Sequence, residues 1–461
     1  MANETMVTQV AVIGAGPGGI AAAIAAARQG AKVLLVERMG FVGGALASGL
    51  PLLAFLDMKE RQVIGGVAQE FVDRLMKLGG SFGHRECPFH NSVTIVDPSL
   101  AKIAVFEMLH ESNVDLLLHC ELTGVTMDGG RIQSVQVAGK GQSFDIQAQV
   151  FIDGTGDGDL SYLSGASFEK GQKETGTLQP PTLMFTVGGV NFDKFYDYIE
   201  EHPEELPYEL GLNHIRPGYD AAYFKADPTH VFYGLNATIK RLRDEGICPI
   251  DRDTIIFIRQ PLKGYASINT VRILNFDGSN VHDLTRGELE GHLQVLPILQ
   301  LLREHAPGFE DCYVAHINPS IGVRESRRVV GRKMLCADDA VAGLVPDDTI
   351  ALGSYIIDIH SGTGETSYMA TITEPYGIPF DCTVSADVDN LMMSGRCISV
   401  DAITFGSTRI MPVCMAVGEA AGVGAALAVK NQTPLAQVDV AQVREKLLEQ
   451  GAILTTPVPA T

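Results

Sequence analysis

The sequence predicts an α/β protein in which a parallel-sheet domain carries an inserted α+β domain. Three observations support this class of fold. A strand, a glycine-rich turn, a helix and a second strand follow one another over residues 7–37, and an apolar, glycine-punctuated pattern returns after residue 375. The stretch between residues 161 and 374 instead alternates strand-like pieces with polar helices. At 461 residues the chain is too long for one simple core, so two or three domains are expected.

The opening unit begins with an apolar strand, Val10–Ile13, which has no polar face and is therefore typical of a buried parallel strand. The turn that follows reads Gly14-Ala15-Gly16-Pro17-Gly18-Gly19, and an alanine-rich helix then leads to a second apolar strand that ends at Glu37. Gly14 permits the tight turn, Gly16 lets backbone approach a pyrophosphate, and Gly19 lets helix and strand pack closely. This arrangement predicts a dinucleotide site, with a purely structural strand–helix–strand turn as the alternative.

Further elements follow in order. Met39–Gly49 is a loop of small residues, and Ile64–Leu78 is an amphipathic helix. Ser99 is a suitable N-cap for a helix that runs to about residue 110. Val114–Val150 has the alternation of a small antiparallel meander, after which a strand leads into the loop Asp153–Asp159.

The middle of the chain contains strand-like pieces and one long polar helix but no second GxGxxG turn, so we interpret it as a substrate domain. These elements are Thr182–Val187, Thr254–Ile258, Ala266–Val271 and Thr285–Glu304. Near the C-terminus the sequence predicts a strand entering a turn, an Ala/Gly-rich helix and an amphipathic helix. They are Asn390–Arg396, Pro412–Val429 and Val438–Gln450. The expected domains are residues 1–160 with 375–430, residues 161–374, and a helical tail over residues 431–461.

Composition excludes several classes of function. The formal net charge is −20, and the one short basic run, residues 324–333, is flanked by acids, so nucleic-acid binding is not expected. The eight cysteines contain no CxxC pair, and the spacing of His84 and His90 matches no standard zinc site. Unpaired thiols and the lack of a secretory signal predict a cytoplasmic protein. Met411–Val429 is long enough to cross a membrane, but it is rich in Gly and Ala and contains Glu419, which favours a buried helix.

Four separated glycine sites occur in a fixed order along the chain. They are Gly14–Gly19 with Glu37, then Gly43-Gly44, then Asp153–Gly158, and finally Ser394-Gly395-Arg396 followed by Ser407–Arg409 and Gly418–Gly422. As a set they resemble the FAD-dependent oxidoreductases of the glutathione-reductase-like fold. More closely, they resemble the bacterial FAD-dependent oxidoreductases related to fumarate reductase and succinate dehydrogenase flavoproteins. The segments Ile321–Arg328 and Glu374–Phe380 are also similar to signatures of that family.

The resemblance implies a Rossmann-like FAD-binding domain of ββα layers with an inserted α+β substrate domain. It assigns the pyrophosphate to Gly14, Gly16 and Gly19, and the adenosine ribose to Glu37. The adenosine side would also involve Leu122, Gly154, Gly156 and Asp157, and the remaining implied cofactor contacts are Arg38, Gly43, Gly44, Gly395, Arg396, Met411 and Val413.

One implied contact, at Arg396, departs from the pattern of the relatives, and the start of a late helix adds a further contact. Arg396 stands where many relatives have an acid that binds the ribityl chain, and an arginine there could instead stabilise the negative charge of a reduced flavin. The helix that starts near Pro412 would point its N-terminus at the flavin O2. Relatives that attach FAD covalently use a histidine in the early glycine loop, whereas residues 39–49 contain none, so non-covalent FAD is expected.

Three residues are candidates for chemistry on the substrate. Arg409 stands where related fumarate reductases carry an arginine that clamps a substrate carboxylate, and a structural ion pair is the alternative. His360 is a candidate acid/base residue, although a lone histidine is more often structural. Arg324 is expected either to contact the flavin or substrate or to join a salt-bridge network with Glu325.

The leading hypothesis is an FAD-dependent enzyme that moves a hydride between a small organic substrate and flavin N5, by dehydrogenation or by reduction of a C=C bond. A carboxylate is one candidate substrate class, and the electron acceptor and the oligomeric state, including a homo-oligomer, are left open. An NAD-linked dehydrogenase is the alternative among enzymes. A flavin-binding redox or RNA-modification component, similar to tRNA-modifying flavoproteins, is the alternative from another class, which the net charge of −20 disfavours.

Overall fold

A computed structural model describes residues 4–207, 216–227, 229–363 and 368–456. Within these ranges the helices are α1 (Pro17–Arg28), α2 (Gly66–Lys77), α3 (Pro98–Glu111), α4 (Asp159–Leu163), α5 (Phe192–Glu201), α6 (Ala221–Ala226), α7 (Asn236–Asp244), α8 (Val281–His305), α9 (Ala337–Val341), α10 (Phe405–Thr408), α11 (Met411–Asn431) and α12 (Val440–Glu449).

The first strands are β1 (Glu4–Val7), β2 (Val10–Ile13), β3 (Val33–Glu37), β4 (Leu52–Leu53), β5 (Arg85–Cys87), β6 (Asn91–Thr94), β7 (Asp115–Leu118), β8 (Glu121–Asp128), β9 (Arg131–Gly139), β10 (Gln142–Gln147) and β11 (Val150–Asp153). They are followed by β12 (Phe168–Lys170), β13 (Phe185–Gly188), β14 (Val231–Gly234), β15 (Ile255–Arg259), β16 (Ala266–Ile268), β17 (Tyr313–Ile317), β18 (Arg327–Val329), β19 (Thr349–Gly353), β20 (Ile357–Ile359), β21 (Tyr368–Ala370), β22 (Tyr376–Pro379) and β23 (Leu391–Met393).

A five-stranded parallel sheet in the order β23-β11-β2-β3-β7 forms the centre of the first domain. Strands β2 and β11 are buried along their whole length, which explains why their residues are apolar on both faces. Because all five strands run in the same direction, the turns that follow β2, β11 and β23 meet at one edge of the sheet. This edge therefore brings together Gly14, Gly154 and Gly395, which are far apart in the sequence.

A second sheet in the order β1-β10-β9-β8 lies beside the first. The predicted meander over residues 114–150 is confirmed for β8, β9 and β10, which pair in antiparallel fashion. The prediction is wrong for β7, which pairs in parallel with β3 and extends the central sheet. Three apolar residues in a row, Leu116–Leu118, fit either sheet, so the sequence pattern could not separate the two.

The inserted domain contains a five-stranded antiparallel sheet in the order β14-β15-β16-β13-β17, which we call the cap sheet. Aromatic side chains cover one of its faces. The ring centroid of Phe195, in α5, lies 4.9 Å from that of Phe232 and 5.5 Å from that of Phe257, which belong to β14 and β15. This second apolar core contains residues from Leu183 to Ile321 and also Cys87, Phe89, Val93 and Ile95. Residues from Val329 to Ile372 instead join the core of the parallel sheet.

Two helices, α1 and α11, pack closely against each other beside the central sheet. The contact needs small residues, because a Cβ at Gly418 would lie 2.1 Å from the carbonyl oxygen of Gly18. In the described part of the chain α11 is the one helix long and apolar enough to cross a membrane, and 94% of its apolar window is buried inside the protein. It is thus the central helix of the fold.

The ends of two other helices are also informative. Asp97, rather than the predicted Ser99, is the N-cap of α3, and its carboxylate accepts hydrogen bonds from the amides of Ser99 and Leu100. The C-terminal helix α12 packs on α11 and β19 through its buried residues Val443 and Leu447.

Candidate functional site

A cavity of about 400 Å³ lies between the glycine-rich edge of the parallel sheet and the cap sheet. Its lining includes residues from both domains, which is the usual location of a cofactor or substrate site. Of the predicted site residues, it contains Gly14, Gly16, Glu37, Arg38, Gly44, Gly154, Gly156, Asp157, Arg324, His360, Gly395, Arg396, Arg409 and Met411.

The turn after β2 is shaped to receive a phosphate group. Gly14 has a φ of +97°, and a Cβ there would lie 2.5 Å from the carbonyl oxygen of Gly154. Gly16 is the N-cap of α1, and no side chain caps this end of the helix. A Cβ on Gly16 would meet only one protein atom within 4 Å, at 3.8 Å, and would project into the cavity. The helix amides and the open space at Gly16 thus form a cradle for a negatively charged group.

Glu37 lies at the carboxyl end of β3, where backbone amides hold its side chain. Its two carboxylate oxygens accept hydrogen bonds from the amides of Ala15 and Met39, each at 2.8 Å. Carboxylate oxygens have lone pairs left for the hydroxyl groups of a ribose. The neighbouring Arg38 also lines the cavity.

Asp157 and Arg396 form an ion pair on the cavity wall. A guanidinium nitrogen of Arg396 donates to Asp157 Oδ1 at 2.6 Å, and the hydroxyl of Ser326 donates to the same oxygen at 2.6 Å. The sequence pattern showed an arginine where relatives have an acid. In the structure, the loop after β11 supplies a carboxylate beside that arginine, so both charges are present.

Four predicted cofactor residues do not line the cavity. Gly19 packs against Gly14, where a Cβ would lie 1.9 Å from the carbonyl oxygen, so its role is close helix packing. Gly43 precedes a short 3₁₀ helix with a φ of +114°. Leu122 is half-buried and packs against the first core, and Val413 is buried within α11. These two side chains are turned toward the protein interior.

The cavity also contains a compact charged cluster around Asp358. Asp358 Oδ2 accepts a hydrogen bond from Arg409 at 2.8 Å and lies 3.3 Å from Nε2 of His360. Arg324 donates to the carbonyl oxygen of Pro180 and, at 3.4 Å, to Oδ1 of Asn269. The structure thus brings the three predicted catalytic residues together and adds Asp358, which is 7% exposed.

Burial and neighbouring charges strongly shift the pKa values of Asp358 and His360. Burial alone would raise the pKa of Asp358, but His360, Arg409 and Arg324 hold that pKa well below its ordinary value. Burial lowers the pKa of His360 to about 4, against the raising effect of Asp358. His360 is therefore a neutral base at pH 7 beside an ionised carboxylate.

Burial, together with the charges of Arg409 and Arg252, lowers the pKa of Arg324 to about 9. Arg324 thus keeps its positive charge at neutral pH while it is partly withdrawn from water.

Sequence reasoning missed three charged residues near this cluster. The first is Asp358, which stands two residues before His360 at the end of β20. This spacing places two side chains on one face of a strand, so the sequence did contain a sign that Asp358 lies beside His360. Arg252 and Arg272 precede and follow strands of the cap sheet, and no local pattern marks them. Among the described ranges, no group of three or more His, Cys, Asp or Glu residues could hold a metal ion.

The fold and this site define a dinucleotide-binding enzyme, with a glycine cradle on the parallel sheet and a charged cluster in the same cavity. The chain belongs to the FAD dependent oxidoreductase family, whose profile matches residues 9–447. FAD is therefore its cofactor, and the space at Gly16, the uncapped α1 and the position of Glu37 fit that group.

The solved structures that this chain resembles include a reductase-like protein, a brominase and a monooxygenase. A geranylgeranyl bacteriochlorophyll reductase-like protein from Thermoplasma acidophilum shares 13% identity over 97% of this chain and 85% of its own, with a TM-score of 0.47. The flavin-dependent brominase Bmp2 shares 13% identity over 95% and 83%, with a TM-score of 0.46. The p-nitrophenol 4-monooxygenase PnpA from Pseudomonas putida DLL-E4 shares 11% identity over 97% of this chain and 85% of its own, with a TM-score of 0.43. A search of curated proteins gave no match.

Proposed function

We propose that this protein is an FAD-dependent oxidoreductase that transfers a hydride between a small organic anion, such as a carboxylate, and FAD. The observation that carries the proposal is the joining of two sites in one cavity. The glycine cradle and Glu37 line one part of it, while Arg324, Arg409 and His360 line another. When bound, FAD would supply the hydride acceptor or donor, and the protein would supply binding, orientation and proton transfer.

Arg324 is the residue best suited to bind the anionic group of the substrate. Among the described residues its guanidinium donates only to neutral acceptors, namely the carbonyl of Pro180 and the side-chain oxygen of Asn269, so no described carboxylate pairs with it directly. Arg409 already donates to Asp358, which fixes the orientation of its guanidinium toward the cavity. A planar guanidinium suits a carboxylate because it donates two parallel hydrogen bonds.

His360 is the candidate for proton transfer. Neutral at pH 7, it can accept a proton from a substrate O–H, N–H or C–H group during dehydrogenation, and in the reverse direction its protonated form can donate one. Asp358 would stabilise the protonated ring, since the carboxylate lies 3.3 Å from Nε2. Asp358 is thus a positioning residue for both His360 and Arg409.

The first test is anaerobic reduction of the protein-bound FAD by a panel of hydroxy acids, enoates, amines and sugars, with enoates tested after chemical reduction of the flavin. We expect a carboxylate to change the flavin absorbance and the other classes to be slow. Arg324→Gln should lower kcat/KM about a hundredfold, since a charged hydrogen bond is lost. Arg241→Gln, on the exposed face of α7, is the matched control. Reduction by neutral substrates alone, unaffected by Arg324→Gln, would overturn the proposal.

Two further properties belong to this proposal. The FAD should be bound without a covalent link, so acid precipitation should release it into the supernatant. We also place the protein in the cytoplasm, a compartment consistent with the eight unpaired cysteines. A flavin that stays with the precipitated protein would contradict the first of these statements.

A further inference from the structure

We give the name arginine cluster to Arg324, which lines the cavity, together with Arg252 and Arg272, whose charges act on it. Asn269, just after β16, accepts a hydrogen bond from Arg324, and its backbone amide donates to the carbonyl of Ile256 on β15. Arg252 lies just before β15 and Arg272 just after β16. Because these strands are antiparallel neighbours, the two arginines lie at the same end of the strand pair.

None of the three guanidiniums has a carboxylate partner in the described ranges. Arg272 donates to the carbonyl of Ser361 at 2.8 Å, and Arg324 contacts only neutral acceptors. For Arg252, no side-chain hydrogen bond or ion pair is formed with the described residues. Three positive charges therefore rely on more distant groups for compensation.

Three carboxylates near the cluster are already paired with other arginines. Asp253 pairs with Arg243 on the protein surface, and Asp358 pairs with Arg409. Glu325, next in sequence to Arg324, pairs with Arg328 at 2.6 Å. These pairs leave an excess of positive charge at the cluster, in a chain whose net charge is −20.

The charges of the cluster also act on one another. After burial, Arg409 has the largest lowering effect on the pKa of Arg324, Arg252 and Arg272 lower it further, and Asp358 raises it. Burial also lowers the pKa of Arg252, and the charge of Arg272 acts in the same direction. An anion bound among these residues would relieve both effects, because it would neutralise charges that now repel one another.

We propose that the arginine cluster is a subsite for a doubly charged anion, so that the substrate carries either a phosphate monoester or two carboxylates. This inference rests on the proposed function, and it names the substrate class of the same cavity. Arg324 would contact the ligand directly, as it lines the cavity, and Arg252 and Arg272 would supply charge from behind it. A monoanion would neutralise only part of this charge, so it should bind more weakly than a dianion of similar size.

The test is isothermal titration of the FAD-loaded protein at fixed ionic strength, in a buffer without phosphate. The probes are inorganic phosphate, acetate, glutarate and pentanoate, the last two being matched in chain length. We expect phosphate or glutarate to bind at least about tenfold more tightly than its monoanionic counterpart. A preference for phosphate indicates a phosphate monoester, and a preference for glutarate indicates a dicarboxylate.

Variants test the residues. Arg252→Gln and Arg272→Gln should each reduce the preference for the dianion about tenfold, whereas Arg241→Gln on the exposed face of α7 should leave it unchanged. Near-ultraviolet circular dichroism and the FAD content confirm that each variant is folded. Equal binding of monoanions and dianions by the wild type, or an unchanged preference in both folded variants, would overturn the subsite.

Binding and turnover separate this inference from the proposed function. Tight dianion binding, together with no flavin reduction or reoxidation by any carboxylate of the substrate panel, would leave the subsite standing and remove the proposed reaction. Flavin reduction by monocarboxylates, with no dianion preference in binding, would support the reaction and overturn the subsite.

Discussion

Gly16 and Gly19 lie in the same glycine-rich turn, but we expect Gly16 to affect the affinity for FAD and Gly19 to affect the stability of the fold. A Cβ on Gly16 projects into the cavity with no close protein atom, whereas a Cβ on Gly19 would lie 1.9 Å from the carbonyl oxygen of Gly14. We therefore expect Gly16→Ala to fold normally and to bind FAD at least about tenfold more weakly. Gly19→Ala should lower the free energy of unfolding of the apoprotein by about 1–3 kcal/mol.

Urea unfolding of the apoproteins and fluorescence titration with FAD distinguish the two glycines. Equal FAD affinities for Gly16→Ala and the wild type would show that the cofactor does not approach this turn. Equal stabilities for Gly19→Ala and the wild type would show that α1 can move away from the strand at no cost.

Asp358 connects Arg409 and His360, so its charge should matter more than its volume. In Asp358→Asn, the negative charge that raises the pKa of His360 is lost, so that pKa should fall further below about 4. With the acid–base pair disrupted, we expect kcat/KM to fall about a hundredfold. If His360 acts as the base, the acidic limb of the pH–rate profile should move to lower pH.

Asp381→Asn, which removes a carboxylate from a surface ion pair with Arg332, is the control and should change neither quantity. An unchanged pH–rate profile in Asp358→Asn, with kcat/KM close to the wild-type value, would show that Asp358 does not position His360.

At the scale of the elements, Glu419 connects α11 to the start of α2. Its Oε2 accepts a hydrogen bond from the amide of Val67 at 2.9 Å, and the residue is 1% exposed. Burial raises its pKa to about 8, against an ordinary value of 4.5. In the unfolded chain the carboxyl ionises above pH 4.5, whereas in the folded protein it stays protonated up to about pH 8.

Stability should therefore fall as the pH rises from 4.5 to 8, because unfolding releases a proton in this range. Glu419→Gln keeps the hydrogen bond and cannot ionise, so it should match the wild type near pH 4 and exceed it by about 3–5 kcal/mol at pH 9. Urea unfolding at both pH values measures the difference. A constant difference at the two pH values would contradict the buried, protonated carboxyl.

Most elements of the parallel-sheet domain could be predicted because the residues that determine each element lie within that element. The glycine turn predicted α1, and the Ala/Gly-rich segment predicted α11, in which Gly418 and Gly422 allow contact with α1. Elements whose placement depends on distant partners were less predictable. The strand β7 pairs with the edge of the parallel sheet at β3, and the residues of β7 alone do not show which strand it pairs with.

At the scale of the whole molecule, the residues that line the glycine-rich part of the cavity were more predictable than the arginines behind its other wall. Gly14, Glu37 and Arg396 belong to local motifs, and each lines the cavity. Arg252 and Arg272 come together only through the antiparallel pairing of β15 with β16, so no local motif identifies them. The ion pair of Arg396 with Asp157 likewise depends on the parallel pairing of β23 with β11.

The cavity spans both domains, so FAD should stabilise the whole molecule more than a ligand that fills only the glycine end. Free FAD at a thousand times its Kd should raise the free energy of unfolding by about 4 kcal/mol, since it binds only the folded chain. ADP, which shares the adenosine and pyrophosphate but lacks the flavin, should raise Tm less at the same concentration, because it does not reach cap residues such as Tyr233. Differential scanning fluorimetry of the apoprotein measures both shifts, with Gly16→Ala as the variant in which both should shrink. Equal shifts with ADP and FAD would show that the flavin makes no stabilising contact with the cap.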